Sequence, residues 1–101
     1  MMKKYRTHDE YLKEALKDPK EAALYLNAAA EEKDPALLLV ALGQVARAHG
    51  VSRMAKRIAL SRLGLYKTLS KKGNPEFRTL LNILKAAGIQ LFFRPQMKRA
   101  A

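Results

Sequence analysis

Apolar residues recur along most of this chain at helical spacing, and the polar punctuation between the runs marks where each helix begins. In the stretch Ala55 to Ser70, read with Met54 in front, Met54, Ala55 and Ile58 share one face of a short helix and Leu60 fills a turn. Leu65, Thr68 and Leu69 then recur at i, i+3 and i+4 on a second helix. Ser61 stands where that second helix needs an N-cap. Arg62, Leu63, Tyr66 and Lys67 fall on its opposite face. This is the pattern of a helix-turn-helix, which buries one side and offers the other to the major groove of DNA.

The flanking helices are equally well marked. Thr7-His8-Asp9-Glu10 reads as a capping box opening a helix to about Leu16, with Tyr11, Leu12, Ala15 and Leu16 inward. Asp18-Pro19 places proline at a first helical position. That helix runs to about Lys33 and carries Ala22, Ala23, Leu26, Ala29 and Ala30 on one stripe. Asp34-Pro35 opens a third, through His49, with Leu37, Leu38, Ala41, Leu42 and Val45 inward. His49 suits the negative end of a helix, and Gly50 provides its left-handed stop. Asn74-Pro75 repeats the helix-opening pattern before a stripe of Phe77, Leu80, Leu81, Leu84 and Ala87, with Gly88 as cap. Ile89, Leu91 and Phe93 then alternate with Gln90, Phe92 and Arg94, which predicts a strand over 89–94. The expected fold is all-α: one domain over 1–101, with N-terminal helices (8–49), the helix-turn-helix (52–70), a closing helix (76–87) and one short C-terminal strand.

Composition narrows the chemistry. The chain has no cysteine, which excludes disulfides, thiolate metal sites and a cysteine nucleophile. No apolar run approaches the length of a membrane span, and the basic N-terminus lacks the apolar core of a signal peptide, so a cytoplasmic protein is expected. His8 and His49 lie on different helices without ligand companions, so no metal is expected. Ser61 has no base in a nucleophile pattern, and the acids fall in first turns or on exposed faces; no enzyme and no cofactor is expected.

Charge adds a polarity. The formal net charge is +11. Residues 8–34 hold eight acids against four lysines, whereas 35–101 hold thirteen Lys and Arg against Glu76 alone. Two such halves imply two partner surfaces. On the basic half, Arg62, Leu63 and Lys67 are candidate base readers: Arg62 for a bidentate contact to guanine, and Leu63 for a thymine methyl. Arg53, Lys56, Arg57, Ser61, Lys71, Lys72, Asn74 and Arg78 are candidate phosphate contacts.

Across residues 5–93, and above all in YLNAA, DPALLLVALGQVARAHG, LSRLGLYK and GNPEFRTLL, the sequence resembles the addiction-module antidote proteins. These are HigA-like antitoxins with a lambda-repressor-like (XRE-type) helix-turn-helix. The resemblance implies a dimeric DNA-binding antitoxin that neutralises a small basic RelE/HigB-like toxin and represses its own operon. Two positions depart from the family pattern: Ala59 stands where the turn usually has glycine, and Thr68 where an apolar residue or alanine is usual. The acidic half is then the expected toxin-facing surface (Asp9, Glu10, Glu14, Glu21, Glu31, Glu32). Ile89, Leu91, Phe92 and Phe93 on the expected strand are candidates for a homodimer contact. A free-standing phage-type repressor and a non-specific nucleic-acid binder are the alternatives.

Overall fold

A computed structural model describes residues 7–97. Six helices follow in chain order: α1 (His8–Ala15), α2 (Pro19–Ala30), α3 (Pro35–His49), α4 (Val51–Arg57), α5 (Arg62–Thr68) and α6 (Phe77–Ala86). Among the described residues there is no strand, and all the regular structure is helical. Helix α3 is the central element, with α1, α2 and α4 packed on it, while α4 also meets α5 and α6.

The helix starts follow from local chemistry. Thr7 Oγ1 accepts from the Glu10 amide at 3.0 Å and Glu10 Oε1 accepts from the Thr7 amide at 3.1 Å, a complete capping box. Asp18 and Asp34 each accept from the amide two residues on, at 3.0 Å, with proline in the first helical position behind them. Ser61 Oγ accepts from the Gly64 amide at 2.8 Å and fixes the start of α5. The pair Asn74-Pro75 behaves differently. Helix α6 begins only at Phe77, with Glu76 as a cap that makes no side-chain bond. Gly73 is pressed so tightly against the end of α5 that an added β-carbon would overlap the Thr68 carbonyl, and the chain runs clear of α5 before it can coil again. Asn74 is therefore exposed loop, not a helix start.

The helix ends hold two corrections. Helix α2 stops at Ala30 rather than near Lys33, because Lys33 takes a left-handed backbone, φ 66°. The expected strand over 89–94 does not form. Instead the Gly88 amide donates to Lys85 O at 3.0 Å and the Ile89 amide to Leu84 O at 2.8 Å. With Gly88 at φ 80°, this pair of bonds is a Schellman close to α6. It uses the Ile89 amide and turns its side chain onto the core, so the segment beyond has no ladder to join.

The same motif ends α4. The Ala59 amide donates to Lys56 O at 3.3 Å and the Leu60 amide to Ala55 O at 2.9 Å, with Ala59 at φ 62°. A β-carbon in this conformation costs an L-residue about 1–2 kcal/mol. Between α3 and α4 only Gly50 intervenes, at φ 91°.

Leu16, Val45, Met54, Leu65 and Ile83 are the largest fully enclosed side chains, one from each of four helices and the cap of α1. Small residues let the helices approach: Ala22 on α2, and Ala41, Ala46 and Ala48 on α3, are all buried. Five expected core positions are not covered: Tyr11 is 62% exposed, Phe77 61%, Leu37 41% and Leu81 37%, and Ala30 is exposed at the end of α2. Tyr11, Leu37 and Phe77 lie in the first turn or so of their helices, ahead of the turns that meet a neighbour.

The strained turn yields a test. Ala59→Gly is expected to raise unfolding free energy by about 0.5–1 kcal/mol, measured by urea denaturation, because glycine adopts the left-handed region without the β-carbon penalty. A loss of stability would contradict the backbone assigned to the α4–α5 turn.

Candidate nucleic-acid interface

Helices α4 and α5, each seven residues long, are joined through residues 58–61. Their inner faces are apolar: Met54 and Ala55 from α4, with Leu65 from α5 and Leu69 at its cap, are buried, and Ile58 and Leu60 of the turn pack against the same core. Thr68 is half-buried. With Leu65 and Leu69 fixed, the rotation of α5 is fixed, and Arg62, Leu63, Tyr66 and Lys67 are all exposed on its other side.

Leu63 is 63% exposed, an aliphatic side chain left largely open to solvent. The Arg62 guanidinium carbon lies 5.9 Å from the centre of the Tyr66 ring, one helical turn on. At an exposed site such a cation–π contact contributes about 0.5–1 kcal/mol, enough to bias one rotamer without fixing it. Tyr66 belongs to the candidate surface beside Arg62, a role that its position in the apolar–polar pattern signals only indirectly.

The candidate phosphate contacts divide by location. Arg53, Lys56 and Arg57 are exposed on α4. Ser61 has its acceptor engaged in the cap of α5 and keeps its hydroxyl proton for a donor role. Lys71 and Lys72 lie exposed in the turn after α5, Asn74 in the loop beyond and Arg78 in the first turn of α6. The one ion pair among the described residues, Lys17 to Glu14 at 3.3 Å, is in the acidic half, so none of these cations is neutralised by a carboxylate of its own fold. A helix face with unopposed positive charge can neutralise an anionic backbone.

His49 is set behind this surface. Desolvation by burial lowers its pKa from the ordinary 6.5, and the nearby positive charges of Arg53 and then Arg57 lower it further. Burial and the two cations thus outweigh the favourable field expected at the end of α3, and they favour the neutral ring. Its Nε2 is buried without a hydrogen-bond partner. Among the described residues no group of His, Asp or Glu is placed to hold a metal ion.

In the acidic half, the structure separates committed carboxylates from uncommitted ones. Glu10 closes the α1 box, Asp18 and Asp34 are caps, and Glu14 pairs with Lys17. Asp9 on α1, Glu21 on α2, and Glu31 and Glu32 just after α2 are exposed and make no ion pair or side-chain hydrogen bond among the described residues. At the C-terminal side, Ile89 is half-buried on the core of its own chain, whereas Leu91 is exposed, Phe92 is 73% exposed and Phe93 83%. No described helix is long and apolar enough to cross a membrane.

Comparison with known proteins gives the chain a family. Residues 6–95 match the family model described as "Probable addiction module antidote protein". A protein of Haemophilus influenzae (strain Rd) that carries no functional description is 43% identical over 88 residues, covering 87% of this chain and 89% of its own length. No solved structure matches the chain.

The His49 environment predicts a pH dependence. Because the folded state favours the neutral imidazole, the unfolded chain binds the extra proton, and stability is lost as pH falls below 6.5 toward the lowered folded pKa. Unfolding free energy measured between pH 7 and about 5.5 should decline, and His49→Gln should flatten that slope. An unchanged slope in the variant would assign the titration to another group.

Proposed function

This chain belongs to the probable addiction module antidote protein family, and from that premise we propose that it is an antitoxin with two working surfaces. One binds the operator DNA of its own module through a lambda-repressor-like (XRE-type, HigA-like) helix-turn-helix formed by α4 and α5, and so represses transcription. The other neutralises a small basic toxin of the RelE/HigB-like kind in the cytoplasm, without any catalytic step.

The observation that carries the DNA reading is the exposed α5 face. Arg62, Leu63, Tyr66 and Lys67 project from a helix whose other side is locked into the core, and no acid opposes their charge. Arg62 has the planar fork to read guanine, Leu63 the apolar surface for a thymine methyl, and Lys67 a cation one turn on. Arg53, Lys56, Arg57, Ser61, Lys71, Lys72, Asn74 and Arg78 border this face and contact phosphates, which position the protein without reading sequence. The toxin-facing surface centres on the uncommitted acids Asp9, Glu21, Glu31 and Glu32, with Glu10 and Glu14 beside them. Opposite potentials speed and orient the encounter with a basic partner.

The protein acts as a homodimer, which pairs two reading helices for a symmetric operator. Leu91, Phe92 and Phe93 provide the apolar contact, because they leave the core exposed immediately after the α6 cap. Ile89 is not part of it, since it packs on its own helices.

Three measurements test this. Arg62→Ala should weaken binding to a duplex from the region upstream of the gene by about 1–3 kcal/mol and leave a random duplex nearly unaffected. Equal weakening on both would remove Arg62 as a base reader. Truncation after Gln90, which spares the Schellman close, should convert the dimer to monomer in sedimentation; an unchanged species would move the interface elsewhere. Tagged protein drawn gently from its host should bring down a small basic protein in near-equal amount. Recovery of DNA alone would favour a repressor that has no toxin partner.

A further inference from the structure

Helix α3 carries a glycine that its own fold does not require. Gly43 lies in the middle of a fifteen-residue helix, where glycine is disfavoured relative to alanine, and its φ is not positive. A β-carbon built there would meet Leu69 O at 3.6 Å, Leu69 Cβ at 3.9 Å and Arg47 Nη1 at 4.0 Å, all ordinary contact distances. The missing methyl therefore serves neither a turn nor a close approach between helices. Gly43 instead lines a notch of about 220 Å³, together with Ala46 and Arg47 of α3, Val51 of α4, Leu65 and Tyr66 of α5, and Leu69 and Ser70 just beyond it.

We propose that this notch seats one sugar–phosphate strand of the duplex whose major groove receives α5, a site that adds Arg47 and the bare backbone of Gly43 to the DNA interface. The inference rests on the DNA-binding reading above and deepens it. Tyr66 belongs both to the exposed reading face and to the notch wall, so the notch opens on the flank of that face. A helix lying in a major groove is bordered on its flanks by the two backbones. The walls are mainly apolar, suited to deoxyribose, and the only charged lining residue is the Arg47 guanidinium, suited to a phosphate. No carboxylate lines the notch, and Glu76 is the sole acid in residues 35–101. An exposed Arg47 without an ion pair among the described residues is available to a phosphate oxygen. Gly43 then permits a backbone-to-backbone approach that a methyl would hold off.

Two variants test this, using fluorescence anisotropy with a duplex from the upstream region and a scrambled duplex of equal length, over a range of salt. Gly43→Ala should raise the melting temperature of the protein while lowering affinity for both duplexes by the same factor. Arg47→Ala should lower both affinities together, several-fold, and reduce the salt slope by about one unit, the signature of one lost phosphate contact. The opposed changes in stability and binding for Gly43→Ala separate this site from a folding role. If that variant melts lower, the glycine is a structural requirement and the inference is overturned. If the wild type binds and both variants bind equally well, or lose only the upstream duplex, the strand does not lie in the notch although DNA binding stands. If the wild type retains neither duplex, the DNA-binding reading itself falls and this inference with it.

Discussion

Everything exposed on α5 depends on how its buried side is seated. Leu65 and Leu69 are enclosed in the core that Met54, Ala55 and Val45 also enter. Side chains on one helix are spaced by fixed rotation, so anchoring these two leucines dictates the directions of Arg62, Leu63, Tyr66 and Lys67. A seven-residue helix has little intrinsic stability in water. It persists through this tertiary packing, the Ser61 cap and the closed turn that precedes it. The turn itself retains strain at Ala59, whose left-handed backbone is held by the two hydrogen bonds that end α4.

The second organising feature is electrostatic segregation. Eight acids are concentrated in residues 8–34, yet several of them already act within the fold: Glu10, Asp18 and Asp34 complete helix starts, and Glu14 takes a lysine. The carboxylates left uncommitted are therefore fewer than composition suggests: Asp9, Glu21, Glu31 and Glu32. In the basic half the opposite holds. Lacking acids apart from Glu76, its arginines and lysines find no partner within the described chain and remain open to an external anion. The same cations favour the neutral form of His49 behind them.

Much of the fold was legible because its signals are local. Thr7-x-x-Glu10, Asp18-Pro19, Asp34-Pro35 and Ser61 act within three residues of themselves, and all four form as the sequence predicts. The left-handed residue of the α4–α5 turn, Ala59, carries no such local signal, and only the family resemblance pointed to that position. What escaped depended on distant neighbours. Tyr11, Leu37 and Phe77 have the right periodicity for burial, but whether a helix end is covered depends on where its partner stops. Asn74-Pro75 matches two true helix starts, and only the crowding of Gly73 against α5 sets it apart. The alternation over 89–94 matches a strand, but a strand needs a second strand, and the Ile89 amide is already taken by Leu84. On the candidate site, the pattern separated the exposed side of α5 from its buried side, while the notch beside Tyr66 is tertiary and has no linear signal beyond a mid-helix glycine.

In the proposed antitoxin, two separable surfaces, one basic and one acidic, do two different jobs. The most direct measurement is growth of cells co-expressing a small basic toxin that co-purifies with this protein with either of two variants. Arg62→Ala should restore growth as fully as the wild type, whereas Glu21→Lys combined with Glu31→Lys should fail to restore it while still binding the upstream duplex. Full rescue by the charge-reversed variant, or loss of rescue with Arg62→Ala in a folded protein, would contradict the division of labour.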